Sequence, residues 1–244
     1  MKRLLLAGAL VAVLTTALAA GGWWFLIRED AHLASSAPEI PDELLQSTAT
    51  PAATEDAGQD TASSSVLTFH INPELSEAAY FVDEELASIG LPSTAKGTTN
   101  EIEGEFYLTA DRTALAADQQ STFAVDLRNL TSDESRRDQR VQQALETSQY
   151  PTATFTVSGV TGYDPAIPEG EEQSLQLTGI FDLHGVEREV TWEVKAYREA
   201  NVISALATVT ISFADFDITA PTFAGLVSIS DQATLQVQLI AEAV

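Results

Sequence analysis

From Val66 onward apolar residues recur at every second position, the spacing that puts one set of side chains on each face of a pleated strand. Phe69 and Ile71 open the pattern, and the run Ala79-Tyr80-Phe81-Val82 follows. The acidic Asp83-Glu84-Glu85 and the Gly90-Leu91-Pro92 break close that segment. Ile102, Gly104, Phe106 and Leu108 alternate with Glu103, Glu105 and Tyr107, and Phe123, Val125 and Leu127 with Thr122, Asp126 and Arg128. Phe155 and Val157 mark the next strand, and Tyr163–Glu172 is a loop rich in Pro, Gly and acid. Ile203, Ala205, Ala207, Val209, Ile211 and Phe213 form one unbroken face; Leu235, Val237 and Leu239 form the last. This predicts about eight or nine strands, each with one apolar face, in an antiparallel sheet wrapped into a sandwich or barrel.

The clearest local unit is Gly179–Trp192. Leu175, Leu177, Phe181 and Leu183 share one strand face, His184-Gly185 supplies a tight turn, and Val190, Trp192 and Val194 alternate on the return strand. One helix interrupts the strands. Thr131 and Glu134 fit a capping box, Val141, Ala144 and Leu145 form an apolar stripe, and Tyr150-Pro151 stops it. Arg137 and Asp138 lie one turn before Val141. They read either as a solvated pair or as a polar seam between helix and sheet that orients the helix or a polar ligand end.

The amino-terminal part differs. Lys2 and Arg3 precede an uncharged run from Leu4 to Ile27, about 24 residues and long enough to span a bilayer core of ~30 Å. Trp23-Trp24-Phe25 sits at its far end, where aromatic rings favour the interface. Ala17-Leu18-Ala19 fits a cleavage site, but the apolar run continues past it. Residues 1–28 are therefore expected to be an uncleaved signal-anchor helix, with the body outside the cytoplasm. Residues 29–65 are dominated by Ala, Ser, Thr, Pro, Asp and Glu, with only Ile40, Leu44 and Leu45 clustering as one short amphipathic turn. Such a segment buries too little to offset its ordering entropy, and is expected to be a disordered acidic tether reaching roughly 30–35 Å. Residues 66–244 are the expected globular domain.

Composition narrows the function. With 12 basic and 36 acidic residues the formal charge is −24, which argues against a nucleic-acid partner and against adhesion to anionic headgroups. The chain has no cysteine, which excludes disulfides and thiolate chemistry. Of three histidines, His32 lies in the tether, His70 on the first strand, and His184 in the hairpin turn, where a solvent-exposed turn former is expected. Glu101, Glu103 and Glu105 read as a solvated outer face; Asp215-Phe216-Asp217 lacks cation-loop spacing. No nucleophile, zinc or phosphate-loop motif appears. No catalytic residue, metal site or cofactor is assigned, and the chain is read as a binding protein rather than an enzyme.

Four stretches in order resemble the YceI-like, polyisoprenoid-binding family. Leu130–Asp138 resembles its strand-to-helix Arg-Asp segment, and Gln149-Tyr150-Pro151–Phe155 its Tyr-Pro-x-x-x-Phe strand entry. Gly179–Val190 resembles its Gly-x-Leu-x-x-x-Gly-Val hairpin, and Ile211–Ile218 with Val227–Asp231 its carboxy-terminal strands. Two positions depart: Arg140-Val141 stands where the family has His-Leu, and Asp217 where it has Gly after Asp-Phe. The resemblance implies an all-β fold with one helix, an antiparallel lipocalin-like extended barrel around a long isoprenoid chain. Wall positions would then be Phe69, Phe106, Phe123, Val125, Leu127, Phe155, Val157, Leu177, Phe181, Trp192, Val194, Val209, Ile211 and Phe213. The expected partners are an isoprenoid or similar amphiphilic lipid, the membrane through the N-terminal helix, and a second copy in a homodimer. The same alternation would suit a filled core, so the alternative is a dry β-domain for surface adhesion or assembly.

Overall fold

Three bent ribbons and five plain strands build the domain. The computed structural model describes residues 31–46, 66–86, 91–220 and 227–244, and His32–Val244 forms one unit. Strand β1 (Val66–Ile71) continues through a short 3-10 turn at Pro73–Leu75 into β2 (Glu77–Leu86), and β3 (Leu91–Thr99) continues directly into β4 (Ile102–Thr109). β1 pairs with β4 and β2 with β3, so the two ribbons make one long bent hairpin. β5 (Thr122–Asp126) and the short β6 (Thr131–Ser132) form the third ribbon, which pairs first with β4 and then with β3.

A simple meander follows. Strands β7 (Thr152–Thr161), β8 (Gln173–Leu183), β9 (Val186–Glu199), β10 (Val202–Ser212) and β12 (Gln232–Ala243) each pair antiparallel with the one before, and β7 pairs with β5. The ring closes because β12 uses its free edge twice. Thr234–Gln238 pairs with β2, and Ala241–Ala243 pairs with β1. Closure removes the edges that an open sheet would expose, and with eight ribbons in the ring the period-two inner faces converge on one interior. Short β11 (Val227–Ile229) adds to the outer end of β2. The His184-Gly185 turn joins β8 to β9 with φ of 58° and 73°, the two-residue hairpin that the sequence predicts.

The helix is shorter than predicted. Helix α2 spans Ser135–Ala144, and α1 is a five-residue helix at Asp42–Gln46. Thr131 is not the N-cap. It lies in β6, and the Glu134 carboxylate caps the helix by accepting from the Arg136 N–H. Ser132, six residues before Asp138, donates to its Oδ1 from both backbone N–H and hydroxyl, at 2.9 and 2.6 Å. Asp217, at the family's glycine position, takes the left-handed conformation that a glycine would, with φ 53°; aspartate is one of the few side chains that tolerates it.

The tether reading needs correction. Residues 32–46 are not free chain but a strap lying on the outer face of β9, β10 and β12. Its backbone is held by side chains of the barrel: Gln236 accepts from Ala34 N and donates to Ala34 O, Ser204 and Tyr197 both donate to Pro38 O, and Lys195 donates to Ser35 O. Ile40 is buried with Val202 and Ile240, and Leu44, Leu45 and Tyr197 pack around them. Ser204 and Gln236 are buried polar groups on an outside face, and the strap supplies the partners that make their burial tolerable. The remainder of the expected tether, 47–65, and the expected anchor, 1–28, lie outside the described residues. Among the described residues no helix is long and apolar enough to cross a membrane.

Ile40→Ala is expected to lower domain stability by about 2 kcal/mol, at the low end for a buried Ile because a surface strap can settle around the loss. A chain beginning at Val66 is expected to melt below one beginning at His32. Thermal unfolding followed by circular dichroism checks both, and equal midpoints would show that the strap adds no stability.

Candidate functional site

The barrel interior is not filled. A cavity of about 220 Å³ lies between the inner faces of the ribbons and helix α2, and a second of about 140 Å³ lies toward the β9–β10 turn. The two meet at Phe123, Leu177, Val194, Ala205 and Leu239, which line both. The walls are almost wholly apolar, as expected where only the inner face of each strand contributes.

Thirteen of the fourteen sequence-predicted wall residues line one chamber or both. The larger takes Val125, Leu127, Phe155, Phe181, Trp192, Ile211 and Phe213; the smaller takes Phe69, Phe106 and Val157; Phe123, Leu177 and Val194 serve both. Val209 lines neither; it is a half-buried residue packed against the core. Phe213 sits in a 3-10 turn at Phe213–Phe216 rather than on β10.

Aromatic rings set the shape. Phe69 and Phe106 stack at 4.9 Å between centroids, while Trp192 meets Phe155 and Phe181 at 5.9 Å each. Phe155 fits because Gly179, two residues before its register partner Phe181 on β8, has no side chain: a Cβ there would stand 2.2 Å from Thr156 O and 2.8 Å from the Phe155 ring. Gly179→Ala is therefore expected to displace the ring and cost about 1–3 kcal/mol of stability. Thermal unfolding checks the cost; an unchanged midpoint would show that the ring yields freely.

Arg137 and Asp138 face different surroundings. Arg137, expected at the helix–sheet border, is buried and lines the larger chamber. Its Nε stands 3.3 Å from Glu84 Oε1, its Nη2 is 3.4 Å from Glu84 Oε2, and its Nη1 is 2.5 Å from Asp133 Oδ1 and 3.3 Å from Ser132 Oγ. Burial alone would lower the guanidinium pKa; Glu84 and Asp133 outweigh that and hold it above its ordinary value. Asp138 does not reach the chamber. It holds Ser132, and so fixes β6 to the start of α2.

Among the wall residues missed by sequence reading, Glu84 and Tyr80 carry polar groups. Both follow Ala78 on the inner face of β2, with Val82 between them. The acidic run that reads as a break is strand, since β2 continues to Leu86. The Tyr80 ring lies against Gly97 on β3, where a Cβ would stand 2.3 Å from it. Its hydroxyl makes no hydrogen bond to any described residue. Burial pushes that hydroxyl up to about 12, and Asp138, Glu84 and Asp133 reinforce the shift against Arg137. It therefore keeps its proton through the ordinary pH range.

His184 is not the exposed turn former expected. Its side chain is 11% exposed, its Nδ1 lies 3.1 Å from Phe216 O, and its ring packs edge-on against Tyr150 at 4.9 Å. A carbonyl only accepts, so Nδ1 carries the proton and the ring pins the β8–β9 turn to the 213–217 turn. Gly185 makes room for Tyr150, whose ring would stand 2.5 Å from a Cβ there. The Tyr150-Pro151 and His184-Gly185 pairs thus meet as packing at the end of the barrel.

Comparison with known proteins agrees with this architecture. The family model described as YceI-like domain matches residues 62–241, and the chain belongs to that family. The fold is similar to that of a polyisoprenoid binding domain from Saccharophagus degradans implicated in plant cell wall breakdown, with TM-score 0.55 and 19% identity, covering 73% of this chain and 99% of that one. It is also similar to BcnA of Burkholderia cenocepacia, with TM-score 0.53 and 16% identity, covering 70% and 98%. No curated protein sequence matches the chain.

Proposed function

We propose that this YceI-like domain holds a long apolar lipid of isoprenoid type inside its barrel, and that it does so at a membrane to which its amino-terminal segment anchors it. The observation that carries the reading is the pair of adjoining apolar chambers within a closed eight-ribbon barrel. A dry structural module would gain stability by filling that space with side chains, because every void forfeits dispersion contacts. A linear series of chambers suits a long flexible chain better than a compact ligand. The family supports the same reading, since the similar Saccharophagus degradans protein is a polyisoprenoid binding domain.

The anchor and the location outside the cytoplasm rest on sequence: Lys2 and Arg3 followed by the uncharged run Leu4–Ile27. The acidic body, at −24 for the whole chain, is repelled by anionic headgroups, so an anchor would supply the local concentration that surface affinity does not. The role that follows is to hold and present lipid at its own membrane.

Organic extraction of the native protein and mass spectrometry of the extract tests the binding. A prenyl lipid in stoichiometric amount is expected. An extract without lipid, together with no saturable uptake by the purified protein, would favour the dry adhesion or assembly module.

A further inference from the structure

We propose that His184 is a proton-operated latch on the larger chamber. When its ring takes up a second proton, Nε2–H closes on the Glu146 carboxylate and holds the end of α2 against the β8–β9 turn. The proposal rests on the lipid-binding reading and adds regulation to the same site.

The ring is half of an unfinished network. Nδ1 donates to Phe216 O at 3.1 Å, which leaves Nε2 as a lone-pair acceptor. That nitrogen is buried and makes no hydrogen bond. Glu146 Oε2 stands 3.9 Å from it, too far for a hydrogen bond but within reach of an ion pair. A carboxylate only accepts, so it completes Nε2 only once that nitrogen carries a proton. The Glu146 side chain is 56% exposed and can swing in, while the ring, 11% exposed, is held against Tyr150.

The surrounding charges favour that second proton. Glu146 comes from the end of α2, Asp215 and Asp217 flank Phe216 in the 213–217 turn, and Asp182 and Glu187 pair across the hairpin. Arg188 is the cation of that hairpin, and its Nη1 donates to Glu187 O. Tyr150 keeps its hydroxyl on Gln149, from which it accepts. Imidazole is the side chain whose charge changes nearest neutrality.

Three segments of the chamber wall meet at this ring. Leu145 precedes Glu146, Leu183 precedes His184, and Phe213 and Ile218 enclose the turn that carries Phe216; all four line the larger chamber. Glu146, His184 and Asp217 are three of the five non-glycine residues with positive φ among the described residues, at 46°, 58° and 53°. Such conformations persist where the surroundings fix them, and they gather at clamps and switches. Opening the wall here means parting the end of α2 from the two turns, and the Glu146–His184 pair opposes that. The pair forms on the acid side of the imidazole titration and is lost as pH rises through it, so lipid is held more tightly in acid.

The test uses the full chain in detergent, loaded with a fluorescent prenyl alcohol, and reads its release into excess empty micelles at about pH 5.5 and about pH 8, on either side of the imidazole range. Release is expected to be about two- to fivefold slower at the lower pH, the range that one partly exposed ion pair supplies. Glu146→Gln should release at the faster rate at both. Asp215→Asn, which removes a neighbouring charge but no contact with the ring, should keep the native difference. Nitrogen-15 spectra should show the His184 Nε2 protonated at the lower pH, with His184→Asn identifying its signal. A difference that survives in Glu146→Gln would overturn the latch, as would a bare Nε2 at the lower pH. Loss of the difference in Asp215→Asn would overturn it in favour of a general charge effect. A probe that never binds would overturn the carrier reading and this proposal with it. A probe that binds and leaves at one rate at both pH values would overturn the proposal alone.

Discussion

Val125→Glu and Ile211→Glu are each expected to abolish saturable lipid uptake, while Val125→Ala weakens it only in part. Val125 lies on β5 and Ile211 on β10, and both line the larger chamber. Losing part of one wall side chain forfeits at most a share of the ~1.5–3 kcal/mol that its full burial gives. An unpaired carboxylate against an apolar ligand costs several kcal/mol, and about 4 kcal/mol is roughly a thousandfold in affinity. The sign with pH follows. An apolar chamber disfavours the charged form, so the introduced carboxyl has a raised pKa, and binding should return as pH falls through that value and vanish as pH rises. Titration of delipidated protein, with circular dichroism to confirm folding, reads the result. Folded variants that still bind at neutral pH would place the ligand elsewhere than the larger chamber.

The wall was legible because closure leaves one simple rule: every strand turns its apolar face inward. Phe123-Val125, Leu177-Phe181 and Trp192-Val194 obey it, and a period of two suffices to find them. Where both faces of a strand are apolar the rule is silent. Ala78–Val82 is such a run, so Tyr80 could not be assigned a face, and Glu84 could not be placed on the wall once the acids beside it read as a break. β3 was invisible for a related reason. Its inward positions include Ala95 and Gly97, the glycine leaving room for the Tyr80 ring, and a strand of small residues shows no apolar alternation.

Long-range pairings leave still less trace. Nothing local in β12 announces that one edge will meet both β1 and β2. The strap is the sharpest case. Its composition is that of a disordered segment, and most of its docking is through its own backbone to Gln236, Ser204 and Tyr197, which any sequence could supply. Only the Ile40, Leu44, Leu45 cluster carried a side-chain signal, and those are the residues that pack. The recognition lies in the receiving face, where buried Ser204 and Gln236 sit among strands as unremarkable polar residues until their partners are known.

Arg137→Met is expected to cost about 3–5 kcal/mol, because it leaves the Glu84 carboxylate beside the chamber without its partner. For a domain of this size that corresponds to a fall in melting temperature of roughly 6–20 °C. The two side chains are 6% and 9% exposed, so solvent does little to screen the loss. Asp133, at 46%, stays solvated and contributes less. Arg137→Met with Glu84→Leu removes both charges and keeps apolar volume, and should recover most of the stability, since a buried pair seldom outweighs well-packed hydrophobic replacements. Thermal unfolding of the two single variants and the double variant gives the coupling, and a double variant as unstable as the sum of the singles would show that the pair acts through other partners. The same proteins separate the two roles open to Arg137. If it serves to hold α2 over the chamber, the double variant keeps both its stability and its affinity for a neutral prenyl lipid. If the guanidinium itself grips the ligand, stability returns in the double variant and affinity does not.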